Sequence, residues 1–182
     1  MILAALALSA CLFAAPAADE VPSRAEVSRP VPSIPLMVQD LQGAGVDLAP
    51  RLRGGSSTAA GRAVLLVFWG SWCAPCLREI PELNELQRFY GPRGLEVIGV
   101  GLAHVEETPA RLAAASRDRK VAYPVYFDAQ GAMARTFGVT ALPAAALIDG
   151  AGVVRWMGPS LPKDINERIQ AAVRPGEDSA GR

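Results

Sequence analysis

Two cysteines separated by two residues, Cys73 and Cys76, lie where a continuous apolar segment gives way to a segment with helical periodicity. The apolar segment, residues 63–69, consists of strand-forming residues without polar alternation, as expected for a strand buried on both faces. Residues 75–90 follow with apolar side chains at helical spacing. The sequence therefore predicts a buried strand that leads into a helix, with both thiols at the junction.

This position favours redox chemistry at the thiols. Unsatisfied backbone N–H groups and the positive end of the helix dipole lower the pKa of a thiol at a helix N-terminus. We expect Cys73 to be an exposed nucleophile, and Cys76, one turn into the helix and more buried, to resolve the mixed disulfide. The competing interpretation is half of a zinc site. Zinc needs four ligands, and Cys11 and His104 are far apart in the sequence, so we expect no metal and no cofactor.

The remainder of the chain alternates strands and helices. Apolar runs predict strands over residues 95–102, 125–127, 144–148 and 153–157, and alternating positions predict a β-hairpin within residues 38–52. Helical spacing and capping residues predict helices over residues 109–116, 132–137 and 161–173. Residues 36–173 are therefore expected to form one α/β domain with a mixed sheet.

The segments on either side of this domain differ in composition. Residues 1–18 carry no charged side chain and are too short and too rich in small residues for a typical membrane-spanning helix. They predict an export signal, either cleaved near Ala15-Pro16-Ala17 or processed as a lipoprotein at Leu8-Ser9-Ala10-Cys11; an uncleaved anchor is the third alternative. Residues 19–35 are predicted to be an extended proline-containing linker, and residues 174–182 a disordered polar tail.

Charge and cysteine number exclude several classes of protein. The 182 residues carry 18 basic and 18 acidic side chains, and phosphate binding needs a concentrated positive surface. We therefore expect no nucleic-acid partner. Three cysteines are too few for a large disulfide framework, and their odd number leaves one without an intrachain partner.

A second signal follows about seventy residues after the cysteines. Thr140-Ala141-Leu142-Pro143 directly precedes a predicted strand, and proline at that place indicates a special turn, with a cis bond as one form. Together the two signals resemble the thioredoxin superfamily. The run from Trp72 to Leu83 resembles its exported TlpA/ResA branch, whose pattern W-C-x-P-C-x-x-E-x-P-x-L is met at every defined position. The resemblance covers about residues 32–173.

The resemblance implies a fold and a set of roles. The fold is a thioredoxin-like three-layer sandwich, with a mixed central sheet flanked by helices, an N-terminal β-hairpin and a central helical insertion. Pro143 would be the cis-proline beside the attacking Cys73 and the resolving Cys76. Glu79 matches the acidic residue that tunes proton transfer in this branch. Cytosolic thioredoxins have a buried Asp where this chain has Val67, which strengthens the case for Glu79.

These features predict an exported thiol–disulfide oxidoreductase that reduces protein disulfides as a monomer. The resemblance implies as its partners disulfide-containing proteins, as in cytochrome c or copper-site maturation, and a membrane thiol–disulfide electron donor. Contact with the membrane would be through a lipid on Cys11 only. Trp72, Leu142 and Pro143 are expected to contact the substrate. An oxidant or isomerase is the first alternative, and a non-enzymatic copper-delivery or client-binding module is the second.

Several residues also have simpler interpretations. Glu79 would be an ordinary solvated carboxylate of the helix, and Pro143 an ordinary trans proline. His104 is expected to be a surface-loop residue, and Trp69 and Trp156 are expected to lie in the core. The pair Glu106-Glu107 is expected to be solvated, next to a helix start.

Overall fold

The computed structural model describes residues 26–54 and 63–173, and over these residues the strands form one mixed sheet. Its strands are β1 (Glu26–Pro30), β2 (Met37–Gln39), β3 (Gly45–Asp47), β4 (Ala63–Trp69), β5 (Leu95–Leu102), β6 (Val125–Asp128), β7 (Ala144–Ile148) and β8 (Val153–Gly158). Their spatial order is β1-β8-β7-β4-β5-β6-β2-β3. Strand β4 runs parallel to β5 and antiparallel to β7.

The described helices are α1 (Ala49–Leu52), α2 (Ala74–Tyr90), α3 (Pro109–Asp118), α4 (Ala132–Phe137) and α5 (Ile165–Val173), and a 3-10 turn at Gly91–Arg93 follows α2. Side chains of a strand point alternately to opposite faces of the sheet. The central strands are apolar on both faces, so helices cover both. One face of β4 packs in a cluster with α1 and α4, and the other in a cluster with α2 and α5. The predicted three-layer thioredoxin-like sandwich is confirmed.

The central strand β4 determines where the site lies. All seven of its residues are buried, and it pairs along its length with β5. Its carboxyl end at Trp69 leads through a short turn into α2. The site is therefore at the edge of the sheet where the parallel strands end, which is the usual position for sites in α/β sheets.

The predicted additions to this core are present. The hairpin of β2 and β3 is confirmed, with its turn held by the Asp40 carboxylate, which accepts the N–H groups of Gln42 and Ala44 at 2.9 and 2.8 Å. The hairpin is shorter than predicted, because the last part of residues 38–52 forms α1. Helix α3 is the predicted insertion between β5 and β6. Its N-cap is Thr108, whose hydroxyl accepts the Arg111 N–H at 3.2 Å.

The prediction of a linker over residues 19–35 is wrong in its second half. Residues 26–30 form the edge strand β1, antiparallel to β8. Val31 beyond it is buried and donates its N–H to the Gly152 carbonyl at 2.8 Å. A sequence with prolines suits an edge strand, because only one side of such a strand needs its hydrogen-bonding groups. Residues 1–25, 55–62 and 174–182, with the predicted signal, Cys11 and tail, lie outside the described residues.

Candidate active site

The first cysteine begins helix α2. Cys73 is the N-cap residue, with an extended backbone, and its Sγ accepts the N–H of Cys76 at 3.3 Å. A turn precedes it, in which the Cys73 N–H donates to the Gly70 carbonyl at 3.0 Å. Pro75 lies in the first helical turn, where no intrahelical donor is required. The sulfur thus faces the unsatisfied N–H groups of the helix start.

Cys73 and Cys76 are joined in a disulfide, with an S–S distance of 2.05 Å. The exposed fractions of the two residues are 4% and 3%, so the expectation that Cys73 is exposed is wrong for this oxidised state. In this state the sulfur of Cys73 is turned toward the helix, within an apolar cluster that includes Trp69 and Leu112. The pair lies just beneath the surface at the start of α2.

The loop before β7 comes close to the cysteines. The Leu142–Pro143 peptide bond is cis, so the predicted special turn is confirmed. Leu142 packs against the apolar cluster that contains Cys73 and Cys76. Pro143 is half-buried and lines a shallow cleft together with Val139 and Met157. The cis-proline loop thus joins the apolar surroundings of the disulfide through Leu142 to an open cleft at Pro143.

Glu79 lies one turn beyond Cys76 on α2 and is half-buried. Burial raises the pKa of the Glu79 carboxyl above its ordinary value, the Glu82 charge raises it further, and Arg78 offsets part of the rise. Glu79 is therefore different from a freely solvated helix carboxylate. Burial also raises the pKa of Tyr123, and the charge of Glu79 adds to that effect.

Trp72 is half-exposed and directly precedes Cys73, and its indole has two neighbours. The ring centroid lies 4.4 Å from that of His104, an exposed residue of the loop between β5 and α3. On the other side the indole covers Gly70, where a Cβ would come within 2.7 Å of Trp72 Nε1. His104 is thus the predicted surface-loop residue, and it also contacts the active-site turn.

Glu107 was expected to be solvated, and that expectation is wrong. The residue is 6% exposed, and its carboxylate accepts the Ser71 N–H at 2.6 Å and the Ser71 hydroxyl at 3.0 Å. It therefore binds the turn that carries Cys73. No sequence pattern distinguishes it from Glu106, which pairs with Arg111 at the surface. Only the fold brings residue 107 next to residue 71.

The residues around the site include buried core side chains. Trp69 and Trp156 are buried, as predicted, and so is Val67. Within residues 26–54 and 63–173, no three His, Cys, Asp or Glu side chains are grouped so that they could hold a metal ion. In the same part of the chain, no helix is long and apolar enough to cross a membrane.

A Cys-x-x-Cys disulfide at a helix start and a cis-proline loop, on a mixed sheet covered by helices, define a thioredoxin-like redox protein. Comparison with known families agrees. Residues 39–157 match the AhpC/TSA family, and the chain belongs to that family. The predicted thioredoxin-like membership is confirmed.

Curated relatives narrow the class. The chain is 33% identical over 129 residues to thiol-disulfide oxidoreductase ResA of Bacillus thuringiensis subsp. konkukian. The aligned region covers 71% of this chain and 67% of that protein. ResA of Geobacillus thermodenitrificans is 33% identical over 117 residues, covering 61% and 63% of the two chains. The protein is therefore a thiol–disulfide oxidoreductase of the ResA type, and the predicted enzyme class is confirmed.

Solved structures give the same fold. A Chlorobium tepidum protein assigned as thiol:disulfide interchange protein DsbE superposes with a TM-score of 0.67 at 25% identity, covering 81% of this chain and 98% of that one. A secreted Mycobacterium tuberculosis disulfide oxidoreductase homologous to DsbE superposes with a TM-score of 0.60 at 19% identity, covering 75% and 95%. The second likeness concerns the fold alone.

Proposed function

We propose that this enzyme is exported and reduces disulfides in other proteins by dithiol exchange through Cys73 and Cys76. The observation that carries the proposal is the position of Cys73 as the N-cap of α2, with its sulfur accepting the Cys76 N–H. After reduction, the same N–H and the helix dipole stabilise a thiolate on Cys73. That thiolate is the reactive species in disulfide exchange.

The reaction passes two electrons from the enzyme to the substrate. The Cys73 thiolate attacks one sulfur of the substrate disulfide, that S–S bond breaks, and the other substrate sulfur leaves as a thiolate and takes up a proton. Cys76 then loses its proton and attacks the Cys73 sulfur. This step forms the Cys73–Cys76 disulfide and releases the second substrate thiol. The disulfide in the structure is the oxidised product of this sequence.

Glu79 accepts the proton of Cys76 in this scheme. It lies one turn beyond Cys76, and burial raises the pKa of its carboxyl above its ordinary value, which makes the carboxylate a better proton acceptor. Position 67, which faces the layer of α2, holds a buried valine that has no proton to exchange. Glu79 is thus the acid–base group assigned to the resolving step.

The substrate contact consists of Trp72, directly before Cys73 in the chain, and of Leu142 and Pro143 in the cis-proline loop. Trp72 is half-exposed, and Pro143 lines a cleft with apolar neighbours. We assign this surface to a polypeptide with a disulfide, as in cytochrome c or copper-site maturation. A membrane thiol–disulfide protein returns the electrons, and the enzyme acts as a monomer.

Export is supported by the uncharged residues 1–18. The mature chain either carries a lipid on Cys11 or begins after Ala17. The mass of the mature protein distinguishes these two forms, and an unprocessed chain would contradict export by a cleaved signal.

The proposal is tested by reduction of insulin with the reduced wild-type enzyme, Cys73→Ser and Cys76→Ser. We expect Cys73→Ser to be inactive, whereas Cys76→Ser forms a mixed disulfide that is not resolved. Equal activity of the wild type and Cys73→Ser would refute the mechanism. The reduction potential of the cysteine pair gives the direction of electron flow: about −250 mV or below supports a reductant, and a value near −120 mV identifies an oxidant instead.

A further inference from the structure

Two loops meet beside the disulfide, and a buried carboxylate joins them. The first is the active-site turn, residues 70–73, and the second is the loop of residues 103–108 between β5 and α3. Glu107 is the point of contact, since its two oxygens accept the backbone N–H and the hydroxyl of Ser71. The arrangement is more specific than a surface ion pair, because both donors come from one residue and the acceptor is 6% exposed.

The loop that supplies this carboxylate is itself fixed. The Glu107 N–H donates to the His104 carbonyl at 3.0 Å, which closes a turn, and Thr108 caps α3 directly afterwards. The backbone of Glu107 thus lies between a turn and a helix start. A carboxylate on such a backbone has little freedom to move away from Ser71.

The residue next to Ser71 also contacts the second loop. The indole of Trp72 lies between the bare backbone of Gly70 and the ring of His104. His104 and Glu107 belong to one loop, and Trp72 and Ser71 to the other. The two loops therefore hold each other at two points, one polar and buried and one aromatic and exposed.

We propose that Glu107 is a positioning residue, whose carboxylate fixes the turn before Cys73 and thereby holds Trp72 as a rigid contact surface for the polypeptide part of the substrate. This inference rests on the exchange role proposed for Cys73. The role belongs to the geometry of the two hydrogen bonds more than to the negative charge. A small disulfide that makes no contact with Trp72 does not depend on it.

Two substitutions separate geometry from charge. Glu107→Gln removes the charge but keeps both contacts, because the amide oxygen accepts the Ser71 N–H and the amide nitrogen donates to the Ser71 hydroxyl. Glu107→Asp keeps the charge but is one methylene shorter, so it does not reach both donors. A positioning role predicts that the glutamine variant resembles the wild type and that the aspartate variant is impaired. A purely electrostatic role predicts the reverse.

Tryptophan fluorescence reports the position of Trp72 without any exchange reaction. Trp69 and Trp156 are 3% and 2% exposed and Trp72 is 50% exposed, so iodide quenches mainly Trp72. In Glu107→Asp we expect the quenching constant of Trp72 to rise, by at most about twofold because 50% of its surface is already exposed. In Glu107→Gln we expect no change. Equal quenching in Glu107→Asp and the wild type would overturn the proposal.

Kinetics supply the second readout. With insulin, we expect kcat/KM of Glu107→Asp to fall about tenfold, equal to about 1.4 kcal/mol, and that of Glu107→Gln to stay within about threefold. With 5,5′-dithiobis(2-nitrobenzoate), a small disulfide, both variants should stay within about twofold of the wild type. Equal losses on both substrates in Glu107→Asp, or a larger loss in Glu107→Gln than in Glu107→Asp, would overturn the proposal.

Glu106→Gln is the matched control, because Glu106 is exposed and pairs with Arg111 at the surface, so this substitution should leave both readouts unchanged. Should Glu107→Asp not fold, Ser71→Ala removes one of the two donors from the other side and must show the same selective loss on insulin. Inactivity of the wild type toward insulin would instead refute the exchange function itself. The quenching comparison remains decisive for Glu107 in that case.

Discussion

At the N-cap of α2, a sulfur occupies the place that Ser, Thr, Asp or Asn usually has. The Cys73 sulfur accepts the N–H of the third residue beyond it, as a capping oxygen would. A thiolate is a stronger acceptor than a disulfide sulfur, so reduction strengthens the cap. The same hydrogen bond therefore caps the helix and stabilises the Cys73 thiolate, and it is stronger in the reduced enzyme.

Glu79 couples the chemistry of the site to its stability. A carboxyl whose pKa is raised by folding holds its proton more tightly in the folded than in the unfolded chain. As the pH rises from the pKa of Glu79 in the unfolded chain to its higher pKa in the folded chain, the free energy of unfolding falls. Above the folded pKa the charged carboxylate destabilises the fold. We expect Glu79→Gln to be more stable than the wild type above the raised pKa, with the advantage vanishing near pH 4 and below. Urea unfolding between pH 4 and 8 measures this.

The same substitution should slow the enzyme, because glutamine accepts no proton from Cys76. We expect the mixed disulfide to live about a hundredfold longer in Glu79→Gln. Glu85→Gln is the control on the same helix, since Glu85 is exposed and pairs with Arg88 at the surface, so this substitution should change neither property appreciably. A stability difference for Glu79→Gln that does not vary with pH would contradict the assignment.

Sequence alone identifies those residues whose chemistry depends on neighbours along the chain. Cys73, Cys76 and Pro143 belong to local patterns of a few residues, and the structure has the cysteines at the start of a helix and a cis bond before Pro143, although Cys73 is buried and not exposed. Glu107, by contrast, accepts its hydrogen bonds from Ser71, which is 36 positions away. Its carboxylate has no local signature, so only the packing of the β5–α3 loop against the active-site turn shows that it is buried.

At the scale of elements, the ends of a strand could be predicted from the sequence where the strand is buried, because its apolar run then has the same ends. Strands β4, β5 and β7 are the apolar runs themselves, and their observed ends agree with the runs. Helix α5 begins at Ile165 and not at residue 161, because Pro162 lies before the first helical turn and accepts the Ile165 N–H on its carbonyl. Strand β1 has no apolar run, so only its pairing with β8 shows that it is a strand.

The packing of α3 on β5 makes a prediction about one glycine. A Cβ on Gly101 would lie 2.2 Å from Leu112 Cδ2, and Leu112 is completely buried in the cluster that contains both cysteines. We expect Gly101→Ala to lower the free energy of unfolding by about 1–3 kcal/mol, because Leu112 has little space into which it could move. Urea titration of the oxidised protein measures the change.

Gly45 in β3 provides the comparison. The nearest atom to a Cβ there is Met37 Cε at 3.6 Å, an ordinary contact distance. Gly45→Ala should therefore change the free energy of unfolding by at most about 0.5 kcal/mol. Equal effects of the two substitutions would show that β5 and α3 are less tightly packed than the structure indicates.

At the scale of the whole molecule, the edge strand β1 makes residues 26–30 of the predicted linker part of the folded domain. It extends the sheet beyond β8, and β8 and β7 separate it from β4, the strand that leads to the cysteines. Its Arg29 side chain also donates to the Phe137 carbonyl of α4 at 3.3 Å. The folded unit therefore begins no later than Glu26, ten residues before the domain start predicted from the sequence.

Val31 provides the test of that boundary. It is 4% exposed in the same cluster as β4 and α4, whereas Ile34, three residues further on, is 56% exposed. We expect Val31→Ala to lower the free energy of unfolding by about 1–2 kcal/mol through the lost apolar contacts and the cavity that remains. Ile34→Ala removes a larger side chain but should cost at most about 0.5 kcal/mol. Urea titration of both variants in the full-length protein decides between the two boundaries, because a true linker over residues 19–35 would make the effect of Val31→Ala as small as that of Ile34→Ala.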